Sequence, residues 1–343
     1  MEKIRLGKTG MMVTRIGLGG IPIQRLSEDE AVKVVQRCID LGINFIDTAN
    51  SYTVSEGYIG KAIKGRRDDV FIATKTGARE ADEVEKHLDL SLQRLNTDHI
   101  DLYQFHGVSD QASLDKILAP EGGLYEVFEK AKKAGKILHI GITSHQIDLA
   151  KKQVESDLFE TMMFPFNFVT REPGEELIPL CEEHDVGFID MKPMAGGMLD
   201  KATIAFKYLF QFPEIAIIPG IEKIREIEEI MSIYNGPHEM TAEEATEMQL
   251  MRGELGTTFC RRCDYCQPCQ QGIPISMMMT FPSMVKRMPP DWYLKNPRIS
   301  DMMEKVANCI ECGECEERCP YELPIRETIK KSYDLYEQVK ASA

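Results

Sequence analysis

The sequence predicts an α/β chain: a (β/α)8 TIM barrel over residues 1–235, then a small, mainly helical domain over residues 236–343. Three observations carry this. Short apolar runs alternate with helical stretches eight times before residue 234, the pattern of a parallel sheet wrapped by helices. A chain of 343 residues has room for one barrel of about 250 residues and a modest addition. Asn235-Gly236-Pro237 then breaks the alternation, and eight of the ten cysteines lie beyond it, in two tight runs after residue 259.

Residues 1–13 read as a hairpin with Lys8-Thr9-Gly10 as its turn. Ile16 to Gly19 is the first barrel strand. The helix 28–41 follows, capped by Ser27 and stopped by Gly42. Ile43 to Ile46, Val70 to Thr74 and Ile100 to Phe105 are the next three strands, separated by helices over 56–64 and 80–95. Residues 121–134 form the fourth helix, stopped by Gly135. Strands over 137–142, 161–164, 187–191 and 215–218 alternate with helices over 146–154, 174–184, 198–211 and 222–233. Residues 238–258 are helical and polar, starting at Thr241-Ala242-Glu243-Glu244, a capping pattern; 299–307 is a further helix.

A net charge of −14 and a pI near 5.1 exclude a nucleic-acid or anionic-membrane surface. The N-terminus, Met1-Glu2-Lys3-Ile4-Arg5, has no apolar signal region, and no apolar run approaches the ~20 residues of a membrane span. Cysteines in such a chain point to metal and not to disulfides, so the expected location is a reducing cytoplasm. Cys38 and Cys181 fall inside helices and read as core residues.

The stretch Phe45-Ile46-Asp47-Thr48-Ala49-Asn50-Ser51-Tyr52 organises the barrel. Asp47 sits where one strand ends, and Tyr52 follows in the next loop. The third strand runs into Lys75 and the fourth into His106. Loops at the C-terminal ends of barrel strands carry chemistry. A phenol near its reference pKa of ~10 is a poor acid at neutral pH. A neighbouring ammonium favours the phenolate, a carboxylate keeps the ammonium charged, and an imidazole can hydrogen-bond a substrate oxygen. Together Asp47, Tyr52, Lys75 and His106 make a proton donor aimed at a carbonyl that accepts a hydride.

This stretch resembles the signature of the aldo-keto reductase family. Leu6-Gly7-Lys8-Thr9-Gly10, Phe45 to Tyr52, Gly60-Lys61-Ala62, Thr74-Lys75 and Asp101 to His106 all match, and the resemblance covers about residues 1–233. It implies hydride exchange between a nicotinamide, NAD(H) or NADP(H), and a small-molecule carbonyl substrate. It also implies a cofactor pocket. Ser144 matches the serine that holds the carboxamide, Gly20 and Ile21 the first loop along the cofactor, and Gly220 the adenosine-phosphate segment, with Asp47 beside them. Several positions depart from the family. His145 replaces Asn, Met163 replaces Gln, Met191 replaces the aromatic stacked on the nicotinamide, and Ile230 replaces an Asn near the adenine. Glu222 stands where a basic residue grips the 2′-phosphate, which leans toward NADH; the adjacent Lys223 could pair with a phosphate.

Cys309, Cys312, Cys315 and Cys319, followed by Pro320, have the spacing of the bacterial ferredoxin run, in which the fourth thiolate serves the other cluster. Cys260, Cys263, Cys266 and Cys269 complete a second set of four. By that logic Cys260, Cys263, Cys266 and Cys319 hold one 4Fe–4S cluster, and Cys309, Cys312, Cys315 and Cys269 hold the other. The first run has one residue fewer before its last Cys, and Gln270 in place of Pro. The alternative is structural zinc, which prefers two Cys pairs separated by a longer loop. The small domain is therefore expected to be a helical iron–sulfur domain, with Met277-Met278-Met279 as core filler or docking patch.

A nicotinamide moves two electrons and a cluster moves one. Joining them takes a flavin, a radical step or a partner such as a soluble ferredoxin or flavoprotein; the sequence shows no flavin fingerprint. Three readings stand: a carbonyl or enone reductase whose clusters carry electrons, a nicotinamide reductase whose clusters are structural, and an electron-transfer or redox-sensing protein whose barrel binds a cofactor without turnover.

Overall fold

In the computed structural model, which describes residues 1–342, the alternation becomes a closed parallel sheet. The chain opens with an antiparallel pair, β1 (Lys3–Arg5) and β2 (Met12–Thr14), with Lys3 opposite Thr14 and Arg5 opposite Met12. Gly10 closes the turn between them in the left-handed region, at φ 70°, where a side chain would be strained. Eight strands follow: β3 (Leu18–Gly19), β4 (Phe45–Asp47), β5 (Phe71–Thr76), β6 (Ile100–Phe105), β7 (Ile137–Thr143), β8 (Thr161–Pro165), β9 (Gly187–Met191) and β10 (Ile215–Ile218). Each pairs in parallel with the next. Parallel bridges from Ile16 to Ile217 and from Gly19 to Gly220 join the first strand to the last and close the barrel.

Period-two alternation decides which side chains fill the barrel. Phe45, Ala73, Leu102, Met163 and Ile189 point inward. Ile4, Leu6, Met11 and Val13 of the hairpin pack with them and plug the N-terminal end. The Lys8 N–H donates to Asp185 O at 2.7 Å and Arg5 pairs with the Asp185 carboxylate at 2.7 Å, which pins the hairpin beside the start of β9. Ile46, Ile72, Tyr103, Phe105, Phe164 and Phe188 point outward against the helices. Each such burial stabilises the fold by roughly 1.5–3 kcal/mol before entropy is charged against it. Cys38 and Cys181 are buried in this outer core, as expected, and burial pushes both thiols up.

Three helices differ from expectation. The fourth is Leu124–Lys133, and a separate helix, Gln111–Ile117, precedes it. Asp110 caps that earlier helix by accepting from Ser113 N at 2.8 Å, a local signal hidden in a polar stretch. The helix expected over 198–211 is only Ala202–Leu209, because left-handed Gly196 and Gly197 keep the preceding segment out of helical geometry. The polar helix expected over 238–258 is Ala242–Gly256; Thr241 and Glu244 form its capping box.

The chain divides into Met1–Met240 and Thr241–Ala343. The second unit is helical, built from Ala242–Gly256, Ile275–Met279, Phe281–Arg287, Pro290–Leu294, Pro297–Val306, Glu314–Glu317 and Ile325–Ala341. Its own core centres on Met278, Phe281, Met303 and Tyr336. Met278 and Met279 are buried there, so two members of the methionine run are filler. Among the described residues no helix is long and apolar enough to cross a membrane.

Candidate active site

Parallel strands put all their C-terminal ends on one face of the barrel, and three of them supply the tetrad's setting. Asp47 ends β4, Lys75 lies one residue from the end of β5, and His106 follows β6. Strand pairing sets Lys75 opposite Gln104 of β6. Tyr52 lies in the loop to the helix Ser55–Ala62, held by Tyr52 N–H to Ala49 O at 2.9 Å and Ser55 N–H to Tyr52 O at 2.8 Å.

The Lys75 side chain is buried with Asp47. Its Nζ donates to Asp47 Oδ1 at 2.6 Å and to Thr48 O at 2.6 Å. Gln104 Nε2 donates to the other carboxylate oxygen, Oδ2, at 3.3 Å. Burial alone would strip the charge from Lys75, but Asp47, then Tyr52 and Glu56, outweigh it and hold its pKa above the ordinary lysine value. Burial raises the Asp47 carboxyl, while Lys75 and Gln104 pull it back. The Lys75 ammonium lies 5.2 Å from the centre of the Tyr52 ring. The Tyr52 and His106 rings meet edge to face, 5.9 Å between centroids. The structure thus brings the four predicted side chains into one cluster: a buried ion pair, a phenol over the ammonium, and an imidazole against the phenol.

Supports for this cluster were not visible in the sequence. Glu56, 1 % exposed, accepts from Thr74 Oγ1 at 2.7 Å and from Arg94 Nη1 at 3.2 Å. It tethers the helix after the Tyr52 loop to β5 and to the helix Ala81–Leu95. Gln104 sits inside an apolar run, where only the inward phase of β6 marks it. Arg79 Nη2 donates to His106 O at 2.8 Å, fixing the end of β6.

The other predicted cofactor-binding residues lie on the same face. Gly20 and Ile21 follow β3, and Gly20 N–H donates to Asp47 O at 2.7 Å. A Cβ on Gly20 would meet Asp47 O and Ser55 Oγ at 2.9 Å, so only glycine fits. Ser144 follows β7, and its N–H donates to Met163 O at 3.1 Å. Met191 ends β9, and Gly220 follows β10 and closes the barrel against Gly19. Lys223 is exposed and precedes the helix Ile224–Tyr234. Glu222 is paired: Arg25 Nη2 donates to its carboxylate at 2.6 Å. The partners are 197 residues apart in the chain, so no local pattern announces the pair.

In the second unit the eight clustered cysteines separate into two groups. Cys269, Cys309, Cys312 and Cys315 line one cavity together with Ile310 and Arg318. Cys260, Cys263, Cys266 and Cys319 line another. Among the described residues no three His, Cys, Asp or Glu side chains converge on a point that would hold a single metal ion. Four thiols lining one cavity are the donor set that an iron–sulfur cube takes.

Residues 15–204 match the aldo/keto reductase family, and residues 259–324 match a 4Fe-4S dicluster domain. The chain is 33% identical over 218 residues to an uncharacterised oxidoreductase of Bacillus subtilis, covering 60% of this chain and 68% of that relative. It is 32% identical over 218 residues to L-galactose dehydrogenase of Arabidopsis thaliana, covering 58% of this chain and 67% of that relative. An aldo-keto reductase of Bacillus halodurans, solved in its holo form, superposes with a TM-score of 0.64 and 27% identity, over 73% of this chain and 96% of that one.

Proposed function

The chain belongs to the aldo/keto reductase family and carries a 4Fe–4S dicluster domain, and on that premise we propose that it reduces a carbonyl or conjugated carbonyl compound, or runs the reverse oxidation, with Tyr52 as the proton donor. The observation that carries this reading is the buried Lys75 ammonium, 2.6 Å from Asp47 Oδ1 and 5.2 Å from the Tyr52 ring centre.

A bound nicotinamide dinucleotide supplies a hydride to the carbonyl carbon. Gly20, Ile21, Ser144, Met191, Gly220 and Lys223 are the residues that would hold it, beside Asp47. Arg25 and Lys223 place positive charge next to Glu222, which supports NADP(H) as well as NAD(H). His106 donates a hydrogen bond to the carbonyl oxygen and orients it. As the carbon–oxygen π pair moves to oxygen, Tyr52 gives its hydroxyl proton to that oxygen. The phenolate left behind faces the Lys75 ammonium, which Asp47 keeps charged, and solvent returns the proton. Coupling is reciprocal: the interaction that holds Lys75 protonated also favours the phenolate of Tyr52.

The dicluster domain passes single electrons when loaded, with Cys260, Cys263, Cys266 and Cys319 as ligands of one cluster and Cys269, Cys309, Cys312 and Cys315 of the other. A soluble ferredoxin or flavoprotein is the partner this chemistry needs, and a flavin would bridge hydride and single-electron steps.

Turnover of carbonyl compounds by anaerobic holoprotein, followed with NADH and with NADPH, tests the reading. Tyr52→Phe is expected to lower kcat by at least the ~10²-fold of a lost general acid. An unchanged kcat in that variant would remove Tyr52 from the chemistry.

A further inference from the structure

The two cysteine runs of the second unit fold their first loops alike and finish them differently. In Cys260-Arg261-Arg262-Cys263-Asp264, Arg262 and Asp264 take left-handed backbone, φ 63° and 61°. In Cys309-Ile310-Glu311-Cys312-Gly313, Glu311 and Gly313 do so at the matching positions, φ 52° and 84°. Three of the four carry a Cβ, and such residues keep that conformation only where their surroundings impose it. The shared course makes Arg261 and Ile310 counterparts, each directly after the first thiol of its run.

The counterparts end in opposite settings. The Arg261 guanidinium carbon lies 3.7 Å from the centre of the Tyr321 ring, and both residues line the cavity of Cys260, Cys263, Cys266 and Cys319. Arg261 Nη1 also donates to Gly256 O at 3.1 Å and to Phe259 O at 3.3 Å. Two of those four thiols are buried, Cys266 at 8 % exposure and Cys319 at 9 %. Ile310 lines the other cavity and is 58 % exposed. Cys312 is exposed too, and none of Cys269, Cys309, Cys312 and Cys315 is buried. One exposed isoleucine means little by itself. Here it stands at the lip of the cavity that also opens a thiol to water, where the other loop has a tethered, stacked side chain.

The charge around this opening has a sign. Glu314 pairs with Arg318 at 3.3 Å and Glu316 with Arg326 at 2.7 Å. Glu311 and Glu317 are exposed, and among the described residues neither carboxylate enters an ion pair. An apolar centre is thus rimmed by surplus negative charge.

We propose that the cavity of Cys269, Cys309, Cys312 and Cys315 is the port through which the second unit exchanges electrons, and that its partner is a one-electron carrier protein with a basic rim around its redox centre. Electron exchange between proteins falls steeply with distance, which favours the open set of thiols. The carboxylates steer a basic partner onto Ile310. The step makes and breaks no bond: a reduced carrier gives up one electron and the unit gains it, or the unit gives one to an oxidised carrier. The proposal rests on the reading above that the second unit carries electrons; it does not need the reductase reading of the barrel.

Two measurements on anaerobic full-length holoprotein test it without the nicotinamide reaction. In the first, the protein is reduced with dithionite, and EPR power saturation is recorded with and without a water-soluble dysprosium chelate. The signal removed by Cys312→Ala is expected to relax faster with the chelate, and the signal removed by Cys266→Ala to stay unchanged. In the second, reduced holoprotein is mixed by stopped flow with an oxidised lysine-rich cytochrome c, the probe for a basic carrier. Glu311→Lys is expected to slow haem reduction by about tenfold at low salt, with the difference shrinking as salt is added. Glu322→Lys makes the same charge change at an exposed site between Tyr321 and Leu323, which line the other cavity. That variant should stay within about twofold of wild type. Ile310→Ser should slow the reaction at undiminished iron content. The second measurement uses no cysteine variant, so it decides the matter if one fails to load. Faster relaxation of both signals alike, or of the Cys266 signal alone, overturns the proposal, and so does a Glu311→Lys rate no slower than that of Glu322→Lys. No electron transfer to the cytochrome from protein with its full iron and sulfide sinks the electron-carrier reading, and the proposal with it. Full turnover in Tyr52→Phe would sink the reductase reading alone and leave both measurements standing.

Discussion

Lys75 is the residue on which the site turns, because its ammonium is buried against both the carboxylate and the phenol. On the proposed mechanism reduction needs the protonated phenol, so activity is expected to fall as pH rises through the Tyr52 pKa. The ammonium favours the phenolate and holds that falling limb down in pH. Lys75→Met is therefore expected to move the limb to higher pH and to lower the maximal rate by about 10²-fold or more. A pH–rate profile identical to wild type would show that Lys75 does not tune the phenol. Removing one partner also leaves Asp47 buried and unpaired, so thermal unfolding should shift down by roughly 3–5 kcal/mol of stability unless the carboxyl takes up a proton. At this scale the sequence was informative where polar residues ended apolar runs: Asp47, Lys75 and His106 stand out for that reason. Gln104 did not, because a lone polar residue inside a strand looks the same whether it faces a ligand pair or a helix. Arg25 with Glu222 is a pairing between distant loops, and no local pattern encodes it.

At the scale of elements, the barrel's short strands matter more than its long helices. β3 is two residues and β4 three, yet they place Gly20 and Asp47 in contact. Gly20→Ala is expected to destabilise the first unit by about 1–3 kcal/mol, since the new Cβ meets a backbone oxygen that cannot move away cheaply. Gly57, inside the helix Ser55–Ala62, has open space around its Cβ position. Gly57→Ala should instead be neutral or stabilising by up to ~1 kcal/mol. Melting curves of the two variants check this, and equal shifts would show that the close approach at Gly20 is not what fixes the loop. The strands were legible because apolar β-rich runs end at polar loops. The helix over Gln111–Ile117 was missed because its cap lies in a polar segment, and the helix Ala202–Leu209 was overextended because helical composition runs back past two left-handed glycines.

At the scale of the molecule, an aldo/keto reductase barrel is followed by a 4Fe–4S dicluster domain that brings two sets of four thiols. The crossed grouping was readable from the spacing of the second run, and the two cavities group the cysteines in that way. Iron and acid-labile sulfide should come to about eight of each per chain. Cys319→Ala and Cys266→Ala should alter the same cluster signal in EPR, and Cys269→Ala and Cys312→Ala the other. If Cys319→Ala and Cys312→Ala perturb one and the same cluster, the crossed assignment is wrong.

The central claim is that the Tyr52 site performs hydride transfer to a carbonyl carbon. Its most direct measurement is isotopic. Anaerobic holoprotein is given NADPH, or NADH, deuterated at the transferring face of C4, with a carbonyl substrate in ordinary water, and the alcohol product is analysed by mass spectrometry. The predicted result is one deuterium on the former carbonyl carbon in the wild type, with product formation in Tyr52→Phe lower by about 10²-fold or more. Product formed at an undiminished rate in Tyr52→Phe, or product whose new carbon–hydrogen bond carries solvent hydrogen in place of the label, would contradict it.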